Sequence, residues 1–295
     1  MRKNPTTLDL SYAVAATVLA RQPERGPITF WLVGCGGNGS HVAQHLGRLL
    51  FSMKARGIRA RAIFVDHDTV EPKNVGRQNF SSPEVGRNKA ETLARRFGAA
   101  WGLDIEAVPS RFKHTMFTLD ADQDELGVIV GCVDNAAGRV EMNKCLSRNG
   151  QGRVPDVWHL DCGNHEQAGQ VLLGSAWHAD QLKGAFPSRS LCHALPGPAL
   201  QSPELLVARP EERAAAKKMS CAELVAANQQ SHDINAAVAV AAKTMLTQLF
   251  LTRDLKRLAC EVNNLAGSMR STYVTPEAVA RITSKPVKFI YREAA

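Results

Sequence analysis

Residues 29–39 read TFWLVGCGGNG. The apolar run from Thr29 stops at Gly34, and beyond it Val42, Leu46 and Leu49 recur on one helical face, so the stretch predicts strand, turn and helix. The turn Gly34-Cys35-Gly36-Gly37-Asn38-Gly39 has GxGxxG spacing. Placed between a strand and a helix, such a turn brings backbone N–H groups and the positive end of the helix dipole against a phosphate. Taken alone, the pattern fits a dinucleotide, ATP or a turn that holds no ligand.

Two further runs have the same look. Arg61 to Asp66 (RAIFVD) and Gly127 to Val133 (GVIVGCV) read as strands buried on both faces, as a parallel sheet requires. Ala90, Leu93, Ala94 and Phe97 mark a helix between them. This alternation predicts an α/β fold with a doubly wound, Rossmann-like, mostly parallel sheet. Val157 to Cys162 and Gln170 to Leu173, separated by the polar turn Gly163-Asn164-His165-Glu166, read as a hairpin or a sheet extension. Prolines 187, 196, 198, 203 and 210 break any period in the next segment, after which Ser220-Cys221-Ala222-Glu223 forms a capping box. The helix it opens carries Ile234, Val238, Ala241, Met245 and Leu249 on one face. The expected organisation is an N-terminal helical segment over 1–27, a nucleotide-binding core over 28–179 and a crossover loop over 180–219. Residues 220–295 complete the same domain with an added strand and helix region.

Composition narrows the classes. The chain has 295 residues, 44% of them hydrophobic and 22% charged, which excludes global disorder. Its greasiest stretch, Ile234 to Leu251, is cut by Asn235, Lys243 and Gln248, so no membrane span is expected. The N-terminal segment lacks the apolar core of a secretory signal, and seven scattered cysteines without a CxxC pair suit a reducing compartment. A cytoplasmic protein without structural zinc is expected. The net charge of +8 permits phosphate, nucleic-acid or acidic-protein contacts without choosing among them.

Asp66 ends the second strand, where a carboxylate accepts ribose hydroxyls. After it come Asp66-His67-Asp68-Thr69-Val70, then Asn74-Val75-Gly76-Arg77-Gln78, Gly86-Arg87-Asn88-Lys89, and Cys132-Val133-Asp134-Asn135 with Arg139. In this order the segments resemble the ThiF/MoeB superfamily, adenylating enzymes that activate ubiquitin and its sulfur-carrier relatives. The phrases GNHEQAGQVLLG and SCAEL…INAAVAVAA further resemble the ThiF-like group of plasmid-borne PRTRC systems. Residue chemistry agrees with the broader likeness. Arg77 and Lys89 are cations near a helix start, which the dipole disfavours unless an anion lies between, and Asp134 offers a hard oxygen ligand.

The resemblance implies ATP-dependent adenylation of the carboxyl terminus of a small ubiquitin-like or sulfur-carrier-like protein, with release of pyrophosphate, by a homodimer. It assigns the nucleotide to Gly34, Gly36, Gly37, Gly39, Asp66, Asp68, Asn74 and Gln78, and the chemistry to Arg77, Lys89 and Asp134, with Mg²⁺ on Asp134. Two thiols are candidate nucleophiles: Cys221, at a helix N-terminus, and Cys192, in the crossover loop. Relatives often supply an arginine from an N-terminal RYxRQ segment. Residues 1–27 show only Arg21-Gln22, with Arg25 nearby. The competing readings are a nucleotide-dependent oxidoreductase, for which no acid–base stands out, and a catalytically silent ThiF-like scaffold that binds a partner.

Overall fold

A computed structural model of the chain describes residues 11–120, 124–164, 167–208, 210 and 232–291. Ten strands are described: β1 Thr17–Val18, β2 Ile28–Val33, β3 Ala60–Val65, β4 Ile105–Val108, β5 Leu126–Gly131, β6 Val157–Asn164, β7 Ala168–Gly174, β8 Leu191–Cys192, β9 Arg257–Asn263 and β10 Ser268–Tyr273. The described α-helices are α1 Ser11–Val14, α2 Gly37–Ala55, α3 Lys89–Trp101, α4 Ala136–Cys145, α5 Pro198–Gln201, α6 His232–Phe250, α7 Pro276–Thr283 and α8 Val287–Ile290.

Eight strands form one sheet in the order β10-β9-β7-β6-β5-β2-β3-β4. From β6 to β4 the neighbours run parallel, and β7, β9 and β10 extend the sheet antiparallel. The doubly wound sheet expected from the alternating runs is therefore present. Strand β2 is buried along its whole length because its alternate side chains enter two cores. Ile28, Phe30 and Leu32 pack with α2, α3 and α6 on one face, and Trp31 and Val33 join Ile63, Ile129 and Met142 on the other. The chain reverses direction across the sheet between β3 and β5, on either side of β2. That is the switch point where open α/β sheets hold ligands beyond the carboxyl ends of the strands.

The strands end one to three residues before the glycine and aspartates of the motifs. Val33, Val65 and Gly131 are the last paired positions, leaving Gly34, Asp66 and Asp134 in the loops above. The β6–β7 hairpin forms as expected, and Ile234, Val238, Ala241, Met245 and Leu249 are buried on α6. The capping box at 220–223 lies outside the described residues. Among the described residues, no helix is long and apolar enough to cross a membrane.

The segment read as irregular contains β8, which pairs in parallel with β1. Backbone bonds fix the N-terminal stretch there: Ala16 N–H donates to Val274, Thr17 to Ser190, Val18 to Leu255 and Leu19 to Cys192. Arg21 lies just beyond, its guanidinium bound to the carboxylates of Asp124 and Asp156 and to the Glu125 carbonyl.

Candidate functional site

The glycine turn is shaped by packing at two positions and by openness at another. Gly34 has φ +87°, and a Cβ there would lie 2.8 Å from the Cys132 carbonyl oxygen. A Cβ on Gly39 would lie 1.9 Å from the Gly34 oxygen, so α2 reaches the turn only because this residue has no side chain. Gly36 faces open space, with the Gln78 amide 3.8 Å from an added Cβ. It occupies the N-cap of α2 without a side-chain cap, and the first turn of α2 holds no acidic residue. The helix therefore presents uncapped N–H groups and positive potential to the space above the sheet.

Asp66 organises the floor of that space. It is 8% exposed; its Oδ2 accepts from the Cys35 N–H at 2.5 Å and its Oδ1 from the Asp68 N–H at 2.8 Å. Each oxygen keeps a lone pair free of these bonds. Asp68 pairs through Oδ2 with the Lys89 ammonium at 3.3 Å, and the Lys89 side chain is 7% exposed. Lys89 opens α3, whose cap is Asn88, so Asp68 offsets a cation at the unfavourable end of a helix.

The segment between them is a tight turn. Pro72–Asn74 forms a 3-10 helix closed by reciprocal Glu71 and Asn74 bonds, and buries Asn74. Gly76 has φ +92°, and the Arg77 Nε donates to the Lys73 carbonyl at 3.1 Å. Asp134 is exposed beyond β5, its Oδ1 accepting from the Asn135 amide at 3.3 Å, while Asn135 caps α4.

These elements enclose a cleft of about 590 Å³. Gly34, Gly36, Gly37, Asp66, Asp68, Asn74, Arg77, Gln78, Lys89 and Asp134 all line it. Of the remaining expected residues, Gly39 packs behind the turn and Cys221 lies outside the described residues. Cys192 is a correction. It is buried in β8 away from the cleft, its thiol donating to the Ala194 carbonyl, and burial pushes its pKa up to about 12. Such a thiol holds its proton at neutral pH. Cys35 and Cys132 lie close to the cleft, and burial raises both well above the ordinary range.

Arg21 is also accounted for. Its partners precede β5 and β6, at the amino ends of the strands, whereas the cleft opens over their carboxyl ends. Arg25 is at that same edge, its carbonyl accepting from Arg59 ahead of β3. In its own chain neither arginine supplies a cation to the cleft.

The cleft has further polar groups, of which Arg111 and Lys113 escaped the motif reading. Asn38 Oδ1 and Gln78 Oε1 are buried without a hydrogen-bond partner among the described residues, which leaves polar capacity for a ligand. Arg111 and Lys113 reach the cleft from the loop after β4, a short edge strand with no periodic signal. Arg139 pairs with Asp161 beneath the cleft and also lines a second cavity of about 420 Å³, with Gly163, Asn164, Gln170, Glu204 and Glu261. Arg139, Gly163 and Asn164 belong to both walls, so the two cavities adjoin.

Residues 27–154 match the ThiF family. A Pseudomonas aeruginosa relative, ATP-dependent ubiquitin transferase-like protein Cap2, is 26% identical over 174 residues, covering 56% of this chain and 29% of Cap2. Escherichia coli MccB in complex with ATP superposes with a TM-score of 0.54 at 14% identity, covering 90% of this chain and 66% of MccB. MccB with AMPCPP and MccA gives 0.53 at 15%, covering 84% and 64%, and PaaA gives 0.53 at 13%, covering 84% and 64%. The chain thus spans under a third of Cap2 and about two thirds of MccB, and these structures share its fold.

Proposed function

We propose that the ThiF family domain at residues 27–154 binds ATP and that the chain uses it to adenylate the terminal carboxylate of a small ubiquitin-like or sulfur-carrier-like protein. The observation that carries this reading is the pairing of two complementary ends in one cleft. One end is anion-seeking, built from the uncapped start of α2 with Arg77 and Lys89, and the other is the hydroxyl-accepting carboxylate of Asp66. A cleft of this size, with orphaned amide oxygens on Asn38 and Gln78, fits a nucleoside triphosphate.

In this reading Asp66 accepts the ribose hydroxyls, and Asn74, Arg77, Gln78 and Lys89 hold the phosphates, with Asp68 orienting Lys89. A carboxylate oxygen of the partner attacks the α-phosphorus. The new P–O bond forms as the bond to the bridging oxygen of the β-phosphate breaks, giving acyl-adenylate and pyrophosphate. The enzyme's contribution is positioning and charge neutralisation. Asp134 would hold Mg²⁺, which when bound neutralises phosphate charge. The partner's tail enters along the second cavity, whose shared wall at Arg139 and Asn164 meets the nucleotide cleft. The same reading includes the homodimer that the family likeness implies.

Thermal-shift titration tests this directly. ATP with Mg²⁺ raises the melting temperature and NAD changes it little. Lys89→Ala and Arg77→Ala each remove a charge-assisted contact of about 1.5–3 kcal/mol and weaken ATP about tenfold or more. A larger shift with NAD, or unchanged ATP binding in both variants, overturns the reading.

A further inference from the structure

Asn235 is a polar residue on the core-facing side of α6, between Ile234 and Val238, and it is 1% exposed. Its Oδ1 accepts from the Asn164 amide at 2.6 Å, and its own amide donates to the Arg77 carbonyl at 3.2 Å. Asn164 ends β6 and lines the cleft. One buried side chain thus joins a helix, a strand end and the turn that carries Arg77.

The other side of that turn is tied down as well. Asn79 donates its backbone N–H to Ser40 Oγ at 2.9 Å and its amide to Gln44 Oε1 at 3.2 Å, both on α2. The turn is therefore slung between α2 and α6, with its crest at Gly76, where an added Cβ meets open space. An apolar residue of similar size at position 235 would suit the neighbouring side chains, and an interior amide is tolerated because both its ends are bonded.

We propose that Asn235 is a positioning residue for the nucleotide site, holding the Arg77 backbone so that its guanidinium meets the outer phosphates. This rests on the ATP reading above. It makes the start of α6 part of the phosphate grip without contact to the ligand. Asn235 therefore matters for a triphosphate and little for a monophosphate.

Calorimetric titration of ATP and AMP, both with Mg²⁺, into wild type, Asn235→Ala, Arg77→Ala and the double variant tests the proposal. Asn235→Ala removes both side-chain bonds; losing the one to the Arg77 carbonyl raises the ATP Kd about three- to tenfold and leaves AMP within about twofold. In the Arg77→Ala background the same change adds nothing, because the group it positions is gone. Equal losses for ATP and AMP, or losses that add in the double variant, overturn the proposal and reduce Asn235 to a packing residue. Failure of wild type to bind ATP overturns the nucleotide reading itself, and this inference with it. Should Asn235→Ala not fold, Asn235→Leu keeps the volume and lacks the donor toward Arg77 without adding a charge, and the same split between ATP and AMP is expected.

Discussion

Arg139 and Asp161 form an ion pair sealed between α4 and β6, with Nε 3.1 Å from the carboxylate and side chains only 4% and 1% exposed. Removing one partner strands a charge in the interior, so Asp161→Ala is expected to lose about 3–5 kcal/mol of stability in urea unfolding. Replacing both by leucine recovers much of that loss. A double variant as unstable as the single one would show that the charges are not coupled.

The two kinds of glycine in the turn separate stability from binding. Gly39→Ala forces a Cβ into the Gly34 carbonyl, and is expected to destabilise the fold by about 2–4 kcal/mol. Gly36→Ala meets no protein atom closer than 3.8 Å and should fold normally, yet its methyl projects at the uncapped helix start and weakens ATP. Melting temperatures measured with and without ATP distinguish the two, and an equal loss in both variants contradicts the distinction.

Acidification exposes a buried imidazole. His159 is fully enclosed in β6, and burial, reinforced by the Arg139 charge, lowers its pKa from 6.5 to about 3. The unfolded chain takes up this proton first, so stability is full above about pH 6.5 and declines as pH falls toward 3. The slope from this residue is at most about 1.4 kcal/mol per pH unit. His41 on α2, lowered to about 4 by burial and by the neighbouring His232 and His45, acts in the same direction. Urea unfolding from pH 4 to 7 should show the decline, with a shallower profile in His159→Leu. A flat wild-type profile contradicts the burial.

Iodoacetamide mapping by mass spectrometry should leave Cys192 and Cys145 unmodified in the native protein at pH 7–8. Burial pushes both thiols up to about 12, so their thiolate is scarce as well as inaccessible. Labelling after denaturation provides the control. Rapid native modification of Cys192 would return it to consideration as a nucleophile.

The parts legible in the sequence were those whose chemistry is local. The glycine turn, the aspartate after β3 and the lysine opening α3 each announce themselves through neighbours a few residues away, and the parallel sheet brings them to one cleft. Arg139 could be read as part of a motif, but its partner Asp161 is set by how α4 packs on β6, which no spacing encodes. Asn235 looked like an interruption in an apolar helix until its bonds to Asn164 and Arg77 were placed. Cys192 misled for the same reason: a cysteine among prolines reads as a loop thiol, and the strand it forms pairs with β1, a distant segment of the chain. Strands β4 and β10 lie at the sheet edges, where half-exposed positions blur the alternation that marks interior strands.

The backbone pairing of residues 16–19 has a consequence for synthesis on the ribosome. Their partners are Ser190, Cys192, Leu255 and Val274, so the first-made part of the described structure cannot dock until nearly all of it has been translated. Closing so long a loop adds little to the equilibrium penalty, which grows only logarithmically with length, but it delays the contact kinetically. The strands of the parallel core, β2, β3 and β5, are all made earlier, whereas residues 16–19 lack their backbone partners until those later segments are made. Docking of this stretch onto β8 is accordingly a late step in maturation, and the burial of Cys192 is completed with it.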